Sequence, residues 1–246
     1  MHQTTPIDLQ RQFWNRWNTT HREASIQDVS LRQGDVVRDW FNALGRNDQA
    51  ILEVGCGSGW LCGQLLSFVQ VTATDLSDEV LDRAHLRNPQ VRFVAGDFME
   101  IDFGTKIFDV IVTLEVLSHV RDQKAFVHKL ASHLKPGGYL MMATQNRTVL
   151  QRFNAIAPPA PGQLRRWVDA DELQTLLADD FEILELFSVF PKANKGVMRV
   201  VNSRKLNLPI RLLLGTRVER LKERLGLGWT LMALAKRAGP VDTHSD

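Results

Sequence analysis

Three glycines at alternate positions, directly after a short apolar run, constrain the fold of this chain more than any other feature. The run at 51–54 leads into Gly55, Gly57 and Gly59, and a second apolar run ends in Asp75, twenty residues beyond Gly55. Glycine lets the backbone approach a ligand closely because it has no Cβ. An acidic residue at the end of the next strand can accept hydrogen bonds from ribose hydroxyls. The pair predicts a site for a nucleoside-bearing cofactor.

The spacing of these glycines excludes two common phosphate-binding motifs. The dinucleotide pattern G-x-G-x-x-G needs a glycine at position 60 or 62, where the chain has Trp60 and Cys62. The phosphate loop G-x-x-x-x-G-K-[ST] fails as well, because Cys62 stands at its second glycine and no lysine follows. The ligand predicted here is therefore neither a dinucleotide nor a nucleoside triphosphate held by a phosphate loop.

Composition indicates an ordinary globular chain with a substantial core. Its 246 residues are 44% hydrophobic and 24% charged, enough for one α/β domain. The net charge of +2 indicates no general affinity for nucleic acids or anionic membranes. We see no signal peptide and no run of ~20 apolar residues, so we expect a cytoplasmic protein. The two cysteines, Cys56 and Cys62, lie at the glycine turn, where a disulfide would strain the loop, so we expect free thiols.

Alternating strand and helix patterns follow from the apolar periodicity. Helical segments at 7–24 and 31–44 come first. The predicted strands are 51–54, 69–74, 91–94, 108–113, 139–143, 181–187 and 229–235. The main predicted helices between and after them are 59–68, 77–87, 123–134 and 169–177. This order favours an α/β fold with a doubly wound parallel sheet. Ligands of such sheets bind at the carboxyl ends of the strands, where the glycine turn and Asp75 fall.

The series Glu53-x-Gly55-x-Gly57-x-Gly59, followed by Asp75, resembles motif I and the ribose position of the class I S-adenosylmethionine (SAM) methyltransferases. The resemblance implies a Rossmann-like seven-stranded sheet whose last strand is antiparallel, with SAM as the cofactor. It implies that the glycines surround the methionine part of SAM and that Glu53 lies near its ammonium group. Asp75 would bind the ribose, and Leu76, the next residue, belongs to the same candidate cofactor site.

Two later segments carry the same resemblance. Gly96-Asp97-Phe98 follows the third predicted strand and resembles the adenine site, in which Asp97 would accept from the exocyclic amine and Phe98 would pack against the ring. An ordinary β-turn is the alternative interpretation. Residues 108–120 resemble the fourth-strand motif of the ubiquinone-biosynthesis O-methyltransferases and other small-molecule methyltransferases, in which Leu114 would contact SAM.

Glu115 and His119 are the candidate catalytic residues. A hydroxyl acceptor with a pKa of about 10 or above gains from a base that titrates near neutral pH, so His119, with Glu115, is the predicted base. The alternative is that His119 packs behind the site or hydrogen-bonds the backbone. Some similar proteins have E-x-x-E-H here, which can hold a divalent cation. This chain has Ser118 at the second Glu, and two ligands are too few for a hard cation, so we expect no metal.

Two polar residues resemble positions of the ubiquinone group. Arg32 lies in a Leu-Arg-x-Gly stretch at 31–34, where the arginine would bind the SAM carboxylate in bidentate fashion. Arg22 is the other candidate, and a solvated helix face is the alternative for both. Asn146 lies in a T-x-N-R stretch at 144–147 and would either orient the acceptor or cap the turn.

We expect a single methyltransferase domain with three parts. These are an N-terminal helical cover (1–48), a SAM-binding core (49–145) and a substrate-side half (146–246) that contains a basic, leucine-rich insert at 190–226 before the last strand. Three interpretations of the cationic segment 192–224 stay open: a lid over an amphiphilic or anionic substrate, a peripheral membrane or lipophilic-substrate contact, and a helix packed on the sheet with its basic face in solvent.

The sequence predicts a SAM-dependent methyltransferase that acts on a small molecule, with a hydroxyl oxygen as the favoured acceptor. The proline tetrad of adenine and glutamine amino-methyltransferases is absent, because the chain reads Leu-Glu-Val-Leu at 114–117, so a nucleic-acid substrate is not expected. Two alternatives stay open. One is a methyltransferase that acts on nitrogen, carbon or a macromolecule, and the other is a non-catalytic SAM-binding partner protein. The sequence predicts neither the acceptor nor the oligomeric state.

Overall fold

A computed structural model describes residues 6–22, 28–45, 49–66, 70–105, 107–196, 199 and 217–239. Its seven strands are β1 (Ile51–Val54), β2 (Val71–Asp75), β3 (Arg92–Ala95), β4 (Phe108–Leu114), β5 (Leu134–Gln145), β6 (Phe181–Pro191) and β7 (Gly228–Arg237). They form one sheet in the order β3-β2-β1-β4-β5-β7-β6. The first five strands are parallel, and β7 runs antiparallel to β5 and β6. This arrangement is the predicted fold class.

Eight α-helices surround the sheet within the described residues. They are α1 (Pro6–Trp17), α2 (Asp28–Leu44), α3 (Cys62–Leu65), α4 (Asp78–Arg87), α5 (Gln123–Ser132), α6 (Arg147–Phe153), α7 (Ala170–Leu177) and α8 (Arg217–Arg224). A π-helical turn, Asn18–Arg22, continues α1, and a 3-10 turn, Leu117–His119, follows β4. A capping box starts α7: Asp169 accepts from the Glu172 amide at 3.0 Å and donates its own amide to Glu172 at 3.1 Å.

The core lies on both faces of the sheet because the central parallel strands are covered on both sides. Neighbouring residues of a strand point to opposite faces. Thus Ile51 packs with residues of α2, α3 and α4, whereas Leu52 packs with residues of α5 and α7. The same alternation separates Val110 from Ile111 in β4. The buried central strands fix the level at which their carboxyl ends form a site.

Three element boundaries differ from the prediction. The helix expected at 59–68 is α3, Cys62–Leu65, because Gly59 has a φ of +71° and its amide bonds to the Cys56 carbonyl at 3.0 Å in a preceding turn. Strand β5 begins at Leu134, which pairs with Phe108, so it starts five residues before the predicted strand at 139–143. Strand β6 continues to Pro191, because its pairing with β7 extends to Gly228.

The basic insert is only partly described. Residues 192–196 and α8 are described, whereas most of 197–216 lies outside the described residues. The predicted lid or membrane contact through 192–224 therefore falls largely outside them. Within the ranges given above, no helix combines the length and apolar character needed to cross a membrane.

Candidate functional site

A cavity of about 360 Å³ opens at the carboxyl ends of β1, β2 and β4. It lies beside the point where the chain switches from one half of the sheet to the other, the usual ligand position in doubly wound folds. The residues that line it come from these strand ends, from α1 and α2, and from the chain between 156 and 167. The glycine turn and the candidate catalytic segment therefore share one cavity.

The glycine turn needs glycine for its backbone conformation. Gly55, Gly57 and Gly59 have φ values of +79°, +52° and +71°, a region that other residues rarely adopt. A Cβ on Gly55 would lie 2.1 Å from a methyl carbon of Val116. Gly55 and Gly57 line the cavity, whereas Gly59 packs against α4 and is not among the lining residues. The structure thus places two of the three glycines at the cavity and the third behind them.

Asp75 joins the glycine turn to the end of β2. Its Oδ2 accepts from the Gly57 amide and its Oδ1 accepts from the Ser77 amide, both at 2.8 Å. Asp75 and Leu76 both line the cavity. The carboxylate is held beside the backbone of a glycine that lines the cavity, an arrangement that suits a nucleoside ligand.

Glu53 is a buried acid at the floor of the cavity, with only 3% of its surface exposed. The Cys62 thiol donates to its Oε2 at 3.0 Å. Burial raises the pKa of Glu53 to about 8, the Cys62 bond opposes that rise, and the negative charge of Asp75 adds to it. Glu53 is therefore mostly protonated at neutral pH, and a cation in the cavity would favour its ionised form.

The two cysteines of the turn are buried free thiols, as predicted. Burial raises the pKa of Cys56 to about 11. Cys62 also has a raised pKa, with its contact to Cys56 as the largest cause and burial next. Both thiols are thus protonated at neutral pH, and neither is a nucleophile.

The predicted adenine segment is divided by the structure. Gly96 and Phe98 line the cavity. Asp97 is not among the lining residues, and its Oδ1 accepts from the Met99 amide at 2.9 Å. This bond is typical of the β-turn alternative. The roles of Gly96, Asp97 and Phe98 at adenine stay predictions.

Arg32 does not lie at the cavity. Its Nε and Nη2 donate to the two carboxylate oxygens of Glu223 in α8, at 3.1 and 2.8 Å. Gln33, the next residue of α2, lines the cavity instead. The expectation that Arg32 binds the SAM carboxylate is therefore not met in this structure, because a buried carboxylate holds the guanidinium elsewhere. The side chain of Arg22 lies outside the described part of the chain.

Glu115 connects three elements around the cavity. Its Oε1 accepts from Gln33 Nε2 at 2.5 Å and from Thr230 Oγ1 at 2.8 Å, which joins the end of β4 to α2 and β7. Its backbone has a φ of +65°, one of two positive values among the described non-glycine residues. Leu114 and Glu115 both line the cavity. These contacts make Glu115 an anchor of the cavity wall.

His119 lines the cavity and has a defined tautomer. Its Nδ1 lies 2.7 Å from the carbonyl oxygen of Leu164. Because a carbonyl can only accept, Nδ1 carries the proton and Nε2 of the neutral ring has a free lone pair. Burial lowers the pKa of His119, the Leu164 bond opposes this, and the charge of Arg165 adds to the lowering. His119 is therefore neutral at neutral pH.

Asn146 has a structural position. Its Nδ2 donates to the carbonyls of Gly226 and Gly228 at 3.1 and 3.0 Å, and the residue is buried. It neither caps the following helix through its side chain nor lines the cavity. Gln145, the preceding residue, lines it and accepts from the Ser118 hydroxyl. Of the T-x-N-R stretch, the glutamine rather than the asparagine faces the cavity.

Sequence reasoning missed much of the far wall of the cavity. That wall includes Leu150, Ile156, Gln163, Arg165 and Trp229. Trp14 and Trp167 also line it. The one available signal was the proline-rich loop at 157–162, which ends in the polar and aromatic run 163–167.

The known proteins of similar sequence are methyltransferases. A family model for a methyltransferase domain matches residues 29–186. The ubiquinone biosynthesis O-methyltransferase of Chelativorans sp. (strain BNC1) is 34% identical over 197 residues, which cover 69% of this chain and 75% of that protein. A probable S-adenosylmethionine-dependent methyltransferase of Mycobacterium tuberculosis is 33% identical over 131 residues, covering 52% of this chain. The chain spans about half the length of that relative, 47%.

The fold is also shared with solved structures. The N-methyltransferase NodS of Bradyrhizobium japonicum WM9, solved with S-adenosyl-L-homocysteine, matches with a TM-score of 0.63 over 94% of this chain and 99% of that one. Its sequence identity of 17% limits this likeness to the fold. Together, the family model over residues 29–186, the sheet and the glycine turn show that the chain belongs to the methyltransferase domain family.

Proposed function

We propose that this protein transfers a methyl group from SAM to a hydroxyl oxygen of a small molecule, with His119 as the general base. The observation that carries the proposal is the tautomer of His119. Its proton is held on Nδ1 by Leu164, and its Nε2 lone pair belongs to a ring that lines the same cavity as the glycine turn.

The residues of the cavity fit SAM as the cofactor. Asp75 would hold the ribose, Gly55 and Gly57 the methionine part, and Phe98 the adenine. Glu53 is mostly protonated at neutral pH, and a nearby cation would favour its ionised form. SAM carries two such cations, an ammonium and a sulfonium. When bound, SAM supplies a methyl carbon from which sulfur departs with the bonding electron pair as the acceptor oxygen forms its new bond. Relatives described as S-adenosylmethionine-dependent methyltransferases support this cofactor.

His119 would take the proton that the acceptor loses. The proton moves from the acceptor hydroxyl to Nε2. The other proton stays on Nδ1, hydrogen-bonded to the Leu164 carbonyl oxygen, so the ring becomes an imidazolium. Hydroxyls need such a base more than amines do, because a neutral amine nitrogen is already a good nucleophile, whereas a hydroxyl oxygen becomes one only as it loses its proton. Holding the reactants in line would supply most of the acceleration.

The shape of the site supports a small acceptor. The helix α1 and the chain at 156–167 both contribute to its walls, so an acceptor bound beside His119 would contact the protein on more than one side. Gln10 of α1 donates to the His119 carbonyl at 2.8 Å, so the cover is joined to the catalytic turn. We expect neither a nucleic-acid substrate nor a bound metal, and we predict a cytoplasmic location.

The test is a methyl-transfer assay with labelled SAM and a fractionated extract of the native cells. We expect label in a small-molecule or lipid fraction, its loss with Asp75→Ala, and a roughly 10²–10⁴-fold lower rate with His119→Ala. Asp102→Ala is the matched control, because this exposed carboxylate likewise accepts a backbone amide, that of Gly104 at 2.7 Å. Label only in RNA or protein would overturn the small-molecule acceptor. SAM binding without any label would favour a non-catalytic partner protein.

A further inference from the structure

We propose that the methyl acceptor is an aromatic compound with an oxyanion group, a carboxylate or a phosphate, that binds Arg165 while its hydroxyl faces His119. This inference rests on the proposed function and adds the chemical class of the acceptor. It starts from the far wall of the cavity, where a cation and several indole rings meet.

Arg165 is held in a fixed orientation on that wall. Its Nη1 donates to the Ala157 carbonyl at 2.7 Å and its Nη2 donates to Gln163 Oε1 at 2.8 Å. The guanidinium lies 5.2 Å from the centre of the Trp167 ring. These contacts engage two of the five N–H groups of the guanidinium, so donors remain for a ligand. A planar fork fixed in this way is suited to bidentate binding of an oxyanion.

The charge of Arg165 has no counterion in the described part of the chain. Both of its hydrogen-bond partners are neutral groups. By contrast, two other partly buried arginines have acidic partners: Arg32 pairs with Glu223, and Arg147 pairs with carboxylates at the start of α7. Burial is also the only cause that lowers the pKa of Arg165. A half-buried cation without a counterion favours an anionic ligand.

Arg165 and His119 belong to one part of the cavity. The carbonyl that fixes the His119 tautomer is that of Leu164, the residue before Arg165. The positive charge of Arg165 is close enough to lower the pKa of His119. A molecule whose oxyanion binds Arg165 would therefore place its adjacent atoms near the proposed base.

Aromatic side chains supply the remaining surface. Trp14, Trp167 and Trp229 line the cavity, and the Trp14 and His119 ring centres are 4.6 Å apart. Indole rings pack well against flat aromatic ligands and give up little conformational entropy. An aromatic ring between these walls, with its anionic substituent at Arg165, would satisfy both features of the site.

The test measures binding of matched probes to the protein loaded with S-adenosylhomocysteine, by calorimetry. The probes are 3,4-dihydroxybenzoate, the corresponding neutral benzamide, and 4-hydroxyphenyl phosphate. We expect at least one anion to bind about tenfold or more tightly than the benzamide, as for a charge-assisted bond. This preference should fall to within about twofold in Arg165→Gln and persist in Arg166→Gln, a neighbour that bonds the Arg121 carbonyl outside the cavity. The carboxylate and phosphate arms tell the two oxyanions apart.

Two further measurements keep the outcome decisive. Arg165→Lys, which keeps the charge but loses the fork, should retain a reduced preference for the anion and covers the case in which Arg165→Gln does not fold. A preference that survives in Arg165→Gln, or no binding of either anion at millimolar concentration, would overturn the inference.

Methyl transfer to the same probes separates the inference from the proposed function. Anion binding that depends on Arg165, with no transfer to any hydroxyl acceptor, would leave the inference standing and sink the proposed function. Equal transfer to the neutral and anionic probes in both the wild type and Arg165→Gln would support the proposed function and overturn the inference about Arg165.

Discussion

Arg32 and Glu223 form a two-pronged ion pair, at 3.1 and 2.8 Å, that joins helix α2 to helix α8. Only 8% of the Glu223 side chain is exposed, and its Oε1 also accepts from the Phe190 amide at 3.1 Å. The pair raises the pKa of Arg32, mainly through its hydrogen bonds to Glu223. Arg32 thus joins the end of the insert to the N-terminal cover.

Arg32→Gln should lower the free energy of unfolding by about 1–3 kcal/mol, because it leaves a buried carboxylate without its partner. The affinity for SAM should change little. Urea unfolding and calorimetric SAM binding check the two effects. Arg38→Gln on the same helix is the control, since its pair with Asp35 is half exposed and contributes about 0–1 kcal/mol. A loss of SAM affinity without a loss of stability would restore Arg32 as a cofactor ligand.

Cofactor binding should release a proton from Glu53. With its pKa raised to about 8, Glu53 is mostly protonated in the free protein at pH 7. Bound SAM would ionise it, so about one proton leaves and affinity rises with pH until about pH 8. Calorimetry at pH 7 in two buffers of different ionisation enthalpy counts the protons. Glu53→Gln should abolish the release, and proton-neutral binding by the wild type would contradict the prediction.

The same group should make the free protein less stable as pH rises. Its folded pKa, about 8, lies above its ordinary value of 4.5, so between these values the folded state binds more protons than the unfolded state. This contribution to stability is complete below about pH 4.5 and is lost as pH rises through about 8. Urea unfolding across this range should show a smaller decline in Glu53→Gln than in the wild type. A wild-type profile identical to that of the variant would refute the assignment.

Protonation of His119 should cause the fall of the O-methylation rate at acidic pH, the acidic limb of the pH–rate profile. Burial lowers its pKa, so the rate of O-methylation should rise with pH and reach a plateau at or below neutral pH. His119→Ala should lose that limb along with most of its turnover, whereas KM for SAM stays close to the wild-type value. His128→Ala, an exposed histidine beside Asp180, is the matched control. Equal rates for His119→Ala and the wild type at every pH would remove His119 as the base.

Gly55→Ala should be far more damaging than Gly104→Ala. Both glycines have positive φ values, +79° and +62°, and the strain of a left-handed alanine costs about 1–2 kcal/mol. At Gly55 the added Cβ would also lie 2.1 Å from Val116, whereas no atom lies within 4 Å of that position at Gly104. We expect a loss of roughly 3 kcal/mol or more at Gly55, with loss of SAM binding. Similar melting temperatures for the two variants would show that the turn relaxes.

Short-range patterns predicted the seven strands, the turn at the glycines and the position of Asp75 at the end of the second strand, whereas the ribose role of Asp75 stays a prediction. Each of these depends on residues close in sequence: a buried strand, a conformation open mainly to glycine, and an acid at the end of the next strand. The boundaries that moved depend on partners farther away. Strand β5 begins early because Leu134 meets Phe108 across the sheet, which no local pattern could reveal.

Long-range partners account for the residues that sequence reasoning placed wrongly. The resemblance put Arg32 at the cofactor, but its partner Glu223 is 191 residues away. Asn146 is likewise held by the carbonyls of Gly226 and Gly228. Arg165 carries no motif at all, and it becomes notable only once folding brings it beside His119 and leaves it without a carboxylate among the described residues.

The contact between Asp75 and the Gly57 amide has a consequence for how the protein meets its cofactor. The carboxylate proposed for the ribose already holds the glycine turn in shape, so the entropy of ordering that turn is lost during folding rather than during binding. Cofactor affinity is thereby linked to the structural integrity of the carboxyl ends of β1 and β2. A substitution that loosens this edge, even one that is remote from every ligand atom, should weaken binding by raising the share of molecules whose turn is not yet formed.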